Sequence, residues 1–85
     1  MQVTDVRLKK TESSDDKVLA YGSITLDKSF VVNGIRVIRT KDGDLFVGFP
    51  SKLGQDGKYK DICYPLNDAM REEISVKVIA QYEQL

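Results

Sequence analysis

Hydrophobic and polar side chains alternate along residues 2–9, with Thr4, Val6 and Leu8 on one side and Asp5, Arg7 and Lys9 on the other. A period of two is that of a half-buried strand. The polar stretch "KKTESSDDK" follows and reads as a loop. Residues 18–26 alternate again: Val18, Ala20, Gly22, Ile24 and Leu26 face one way, and Leu19, Tyr21, Ser23 and Thr25 the other. "LDKSF" is short enough to close a hairpin. Residues 30–38, "FVVNGIRVI", form the most apolar stretch. Asn33-Gly34 is a two-residue turn signal, but a turn there would leave only three residues before it. A long strand with a bulge or kink at Asn33-Gly34 is the better reading. Asp42-Gly43 then makes a hairpin turn before "DLFVGF", Pro50 ends that strand for want of a ladder donor, and Asp56-Gly57 marks another turn, with "KYKDICY" as a short returning strand.

The period changes after Pro65. Asn67 is placed as an N-cap, with Asp68 favourable to the helix dipole. Met70, Ile74, Val78, Tyr82 and Leu85 recur at helical spacing, which predicts an amphipathic helix over residues 68–84. The fold class is α+β: an antiparallel β-sheet of four to five strands with a C-terminal amphipathic α-helix, in a single domain over residues 1–85. The third strand has Val31, Ile35 and Val37 on one side and Phe30, Val32 and Ile38 on the other. A single helix covers one face of a sheet, so a second copy of the chain is expected over the other face or along an exposed edge. The alternative is a twisted sheet that wraps its own core.

Composition narrows the chemistry. With 85 residues and one cysteine, the chain is small enough to need a staple and has no intrachain disulfide to serve as one. Without histidine and with Cys63 alone, no zinc-type ligand set forms, proton transfer near neutral pH lacks its usual side chain, and the thiol lacks an activating partner. Asp42 and Asp44 flank Gly43, but the remaining ligands of a calcium loop do not follow. These features predict a protein that is not an enzyme, takes no cofactor or metal and has no small-molecule substrate. The start "MQVTDVRLKK" lacks the apolar run of a signal peptide, and no stretch reaches the roughly 18 apolar residues of a membrane span. The expectation is a cytoplasmic protein with no membrane partner.

Charge cancels overall, thirteen basic side chains against thirteen acidic, so any attraction for a polyanion must come from local clustering. Residues 36–60 hold six basic side chains and three acidic, while residues 61–85 hold two and five. Lys52 follows Pro50-Ser51 at a strand end. Lys58 and Lys60, two apart with Tyr59 between them, point to one side of an extended segment, and the Asp56-Gly57 turn brings them back toward Lys52. Lysines contact phosphates as point charges, and Tyr59 or Tyr64 could stack on a base. The same pattern also suits lysines that keep an edge strand soluble and tyrosines at the rim of a core.

Several separated stretches carry a resemblance: "VTDVRLKK", "SITLDKSFVVNGIRVI", "LFV", "PSK", "DGKYKDI", "PLN", and the helix with Arg71 and Tyr82. In order, and over nearly the whole chain, they resemble the SpoVG family of septation and stage V sporulation proteins. The resemblance implies a small homodimeric regulator in the bacterial cytoplasm that binds DNA and RNA and affects septation, sporulation or gene expression. It implies a nucleic-acid site at Lys52, which matches the family's basic residue after Pro-Ser, and at Arg71, which matches its helix arginine. Leu53 stands where the family usually has a further basic residue. Lys58 and Lys60 stand where it often has an acidic residue and an arginine. The candidate nucleic-acid-binding set is therefore Lys52, Lys58, Lys60 and Arg71, with Arg39 and with Tyr59 as a stacking ring. A protein-interaction adaptor in cell division, docking through the apolar sheet or the acidic side of the helix (Glu72, Glu73, Glu83) without nucleic acid, is the competing reading.

Overall fold

The computed structural model describes residues 1–11 and 17–85; of the loop expected over residues 9–17, residues 12–16 lie outside the described residues, and Lys9 and Lys10 belong to a strand instead. Four strands, β1 (Val3–Lys10), β2 (Val18–Leu26), β3 (Phe30–Arg39) and β4 (Leu45–Gly48), form an antiparallel meander in the order β1-β2-β3-β4. A separate two-stranded hairpin follows, β5 (Ser51–Leu53) with β6 (Tyr59–Asp61), and then one helix, α1 (Asp68–Glu83). The α+β expectation holds, and the short strands beyond the fourth form their own sheet.

Local chemistry sets each connection. Between β2 and β3 the central residues Asp27 and Lys28 have φ of 51° and 56°, and Ser29 N–H donates to the Leu26 carbonyl at 2.9 Å. Positive φ at both positions twists with the strands as a hairpin requires. Asp27 suits that backbone because a short polar side chain tolerates it, and its carboxylate also accepts from Gln2 N–H at 2.7 Å. At the helix start, Asn67 Oδ1 accepts from Met70 N–H at 2.8 Å, the N-cap bond expected from its position.

The bulge in β3 is confirmed. The pairing of β2 with β3 shifts between Gly22 and Ser23, where Ile35 and Asn33 lie opposite and Gly34 is passed over. Gly34 has φ +86°, a conformation that costs a side-chain-bearing residue. The extra residue also reverses the strand's phase. Val32 and Phe30 therefore pair with Ile24 and Leu26 on the same side as Ile35 and Val37, while Val31 faces outward. This corrects the simple alternation expected for β3. A second irregularity, between Val3 and Asp5, puts Val3 in the core and leaves Thr4 outside, the reverse of the expected phase. Gly22 is the tightest point of the sheet: a Cβ there would lie 1.8 Å from the Arg7 carbonyl oxygen.

The core lies between one sheet face and α1. Ala20, Ile24, Ile35, Val37 and Val47 from the strands meet Ile74 and Val78 from the helix, with Val3, Leu26 and Phe49 at the margins. Met70 and Tyr82 pack against it and Leu85 stays exposed, so the helical spacing is correct except at its last residue. Side-chain bonds fix the helix on the sheet edge. Glu73 Oε2 accepts from Val3 N–H at 2.6 Å, and Lys77 Nζ donates to the Val3 carbonyl at 2.8 Å. The two side chains lie 3.7 Å apart. No helix among the described residues lies on the far face of the sheet. Among the described residues, no helix is long and apolar enough to cross a membrane.

Two substitutions separate packing from the edge clamp. Ile74→Ala should lower the unfolding free energy by about 2–5 kcal/mol. Glu73→Ala, which leaves the Val3 N–H without its acceptor, should lower it by about 1–2 kcal/mol. Urea denaturation followed by circular dichroism measures both, and equal costs would deny the clamp its separate role.

Candidate nucleic-acid interface

The β5–β6 hairpin grows directly out of β4, and two contacts fix its root. Pro50 packs over the β3 bulge, where a Cβ on Gly34 would stand 3.0 Å from the Pro50 Cβ. The Arg36 guanidinium donates to the Phe49 carbonyl at 3.0 Å. Beyond the root, Ile62 N–H donates to the Pro50 carbonyl at 2.7 Å, and at the tip Gly54 N–H donates to the Lys58 carbonyl at 2.8 Å. Asp56 shapes the tip, its Oδ1 accepting from Lys58 N–H at 3.1 Å.

Register decides which side chains meet. Lys52 lies directly opposite Lys60, with Ser51 opposite Asp61 and Leu53 opposite Tyr59. Side chains on directly opposed residues share a face, with Cβ atoms roughly 5 Å apart. One face of the hairpin therefore presents the Lys52–Lys60 pair, and alternation places Lys58 on that side too. The other face presents Leu53, Tyr59 and Asp61. Among the described residues, none of the three lysines is within salt-bridge distance of a carboxylate. The nearest acid of their own hairpin strands, Asp61, belongs to the opposite face. Like charges directly across a ladder are destabilising, and here the strands have three residues each. A hairpin so short has little stability of its own.

The other candidates are placed elsewhere. Tyr59 is 72% exposed but turned away from the ammonium groups. Arg39 pairs with Leu45, at the end of β4 opposite the one from which the hairpin emerges. Arg71 is exposed near the start of α1 and shares a helix face with Asp68, Glu72 and Glu83, so carboxylates dilute its charge. Cys63 is half-buried and lines an apolar groove of about 290 Å³ with Phe30, Phe49, Tyr64 and Met70. Large apolar side chains stay exposed around that groove, Phe30 at 65% and Leu66 at 89%. Periodicity in one segment could not show this concentration, which assembles from β3, the hairpin root and the helix entry.

Comparison with known proteins agrees with the residues that carry the resemblance. The SpoVG family model matches residues 1–84. SpoVG 2 of Listeria monocytogenes serotype 4b is 51% identical over 85 residues, covering 100% of this chain and 81% of the relative. The SpoVG proteins of Staphylococcus saprophyticus and Clostridium acetobutylicum are similar at 50% and 45% identity, covering 99% and 100% of this chain and 81% and 87% of theirs. The names of these relatives refer to septation.

Lys60→Glu sets a carboxylate opposite Lys52 and should stabilise the hairpin by about 0.5 kcal/mol. Amide hydrogen exchange at Lys52, Gly54 and Ile62, whose N–H groups point into the ladder, should slow about twofold. Unchanged or faster exchange would mean that the two ammonium groups do not strain the ladder.

Proposed function

The chain belongs to the SpoVG family, and from that premise we propose that it is a homodimeric nucleic-acid-binding regulator acting in the bacterial cytoplasm on septation, sporulation or gene expression. The observation that carries this reading is the Lys52–Lys60 pair, two cations opposed on one hairpin with, among the described residues, no carboxylate within salt-bridge distance of either. A polyanion relieves that repulsion, and ammonium groups on a backbone contact give affinity without sequence readout. Lys58 extends the cationic edge. Arg71 and Arg39 lie off this face and contribute to the general field, and Tyr59 reaches a base only from the hairpin's other side.

Dimerisation is supported by the apolar side chains left exposed around the groove, an arrangement that a small domain covers most simply with a second copy of itself. Two copies repeat the lysine edge. With about six phosphate contacts per dimer, duplex affinity should fall with log salt at a slope of about −5.

One observation favours the adaptor reading. The outward helix face joins Asp68, Glu72 and Glu83 to the exposed side chain of Val76 along a groove of about 820 Å³, which suits a basic protein partner more than nucleic acid. The experiment is a titration of labelled duplex DNA at two salt concentrations, with light scattering on the same samples. The expected result is a salt-dependent affinity held by a dimer and lost in the double variant Lys52→Glu, Lys60→Glu, whose melting temperature stays unchanged. Full affinity in that variant rejects the hairpin as the binding edge. A wild-type protein that ignores the duplex at low salt supports the adaptor.

A further inference from the structure

The helix-free face of the sheet has its own chemistry. Register across three strands sets Lys9 of β1 opposite Tyr21 of β2, and Tyr21 opposite Arg36 of β3. The result is a row of cation, aromatic ring and cation, with neighbours roughly 5 Å apart. The adjacent row runs from Arg7 to Ser23 to Asn33. Between the rows lies a shallow depression of about 420 Å³ lined by Arg7, Lys9, Tyr21, Ser23 and Asn33. Tyr21 is 48% exposed, and Phe46 on β4 offers a second ring at 46%.

Two features show a site with a fixed shape. The Arg36 guanidinium is held by its bond to the Phe49 carbonyl. It lies over β4 because Gly48 leaves room; a Cβ on Gly48 would stand 3.3 Å from the guanidinium nitrogen. The charge of the face is also one-sided. Among the described residues of the strands, Arg7, Lys9 and Arg36 stand against Asp5, which is itself bonded to Arg7 at 3.0 Å.

We propose that this face is a second binding surface, a platform for single-stranded nucleic acid. Tyr21 stacks on one base, Ser23 and Asn33 offer hydrogen bonds to its edge, and Lys9, Arg7 and Arg36 take the flanking phosphates. Single strands expose base faces that a duplex buries, and a flat sheet carrying rings between cations is suited to them. The proposal rests on the nucleic-acid reading above but uses different residues, so the hairpin recruits either form of nucleic acid while this face selects the unpaired one.

The test uses the full chain, a labelled twelve-nucleotide RNA, the DNA strand of the same sequence and the corresponding duplex, with anisotropy read at low salt. Tyr21→Ala should weaken both single strands at least fivefold, the lower bound for losing one stacked base, and weaken the duplex less than twofold. Tyr21→Phe, which keeps the ring, should restore single-strand binding. Lys9→Glu, on an exposed side chain that the core does not need, gives a second variant if Tyr21→Ala melts early, and it should show the same selective loss. Single-strand affinity within twofold of wild type in both substitutions overturns the proposal, as does an equal loss on duplex and single strands. Dissociation of either variant into monomers also overturns it, because the face would then be an interface. Wild-type protein that binds duplex through the hairpin but ignores single strands removes this proposal alone; protein that binds neither removes both readings.

Discussion

A sheet has two faces, and the described residues of this chain supply one helix to cover them. The helix is held at one edge by a grip on backbone: the Glu73 carboxylate takes the Val3 N–H and the Lys77 ammonium takes the Val3 carbonyl. Those bonds satisfy the first core residue of an edge strand, whose outer polar groups would otherwise need water or a partner. Once α1 is set there, Ile74 and Val78 can reach only the face carrying Ile24, Ile35 and Val37. The remaining surfaces follow from that choice. The far face stays open, the β5–β6 hairpin has no layer to pack into, and the apolar residues near the helix entry are left without cover. A chain of this length buries a modest share of its surface, and the surfaces it cannot bury are the ones with chemistry to spare.

What could be read in the sequence divides along the range of the physical cause. Elements governed by neighbours a few residues away were legible: the Asn67 cap, the apolar spacing of α1, the turn at Asp56-Gly57 and the return of Lys60 toward Lys52. Each depends on local backbone chemistry or on a single hairpin register. Phase within β1 and β3 was not legible, because an irregularity moves every later side chain to the other face. Asn33-Gly34 announced its bulge, yet the consequence for Val31 and Val32 depends on how β2 pairs across it. Nothing local marked the irregularity near Thr4, whose hydroxyl donates to the Thr25 carbonyl and accepts from Lys28 N–H. The Lys9–Tyr21–Arg36 row is harder still, since it requires two registers to be known together.

The same distinction explains how an electrically neutral chain can present cationic surfaces. Thirteen positive and thirteen negative side chains cancel in the sum, but potential at a surface depends on which charges share a face. The hairpin separates Lys52 and Lys60 from Asp61 by strand alternation alone. Among the described residues of the strands, the open sheet face carries Asp5 as its acid, paired to Arg7. Meanwhile Asp68, Glu72 and Glu83 collect on the outward side of α1. Arg71 shows the converse: a basic residue within the helix, matched to a family position, sits among those acids and gains little reach from its exposure. Counting charges along segments anticipated that Lys52 and Lys60 meet on one hairpin and did not anticipate the acids around Arg71.

Arg36 joins the two cationic surfaces in one structural unit. Its strand position belongs to the open face, opposite Tyr21, while its guanidinium bonds the Phe49 carbonyl at the root of the hairpin. Gly34 and Pro50 meet at the same root, and Gly48 supplies the space in which the guanidinium lies. A bulge, a proline, two glycines and one arginine therefore do locally what a larger protein would do with another layer of structure. They orient a marginal hairpin against a sheet that does not otherwise pack on it. This root ties the direction of the lysine edge to the position of the cation beside Tyr21. Two cationic surfaces on so small a scaffold can keep a constant mutual geometry only if such a junction is stiff, and a side chain hydrogen-bonded at one end and fixed in a β-ladder at the other meets that requirement.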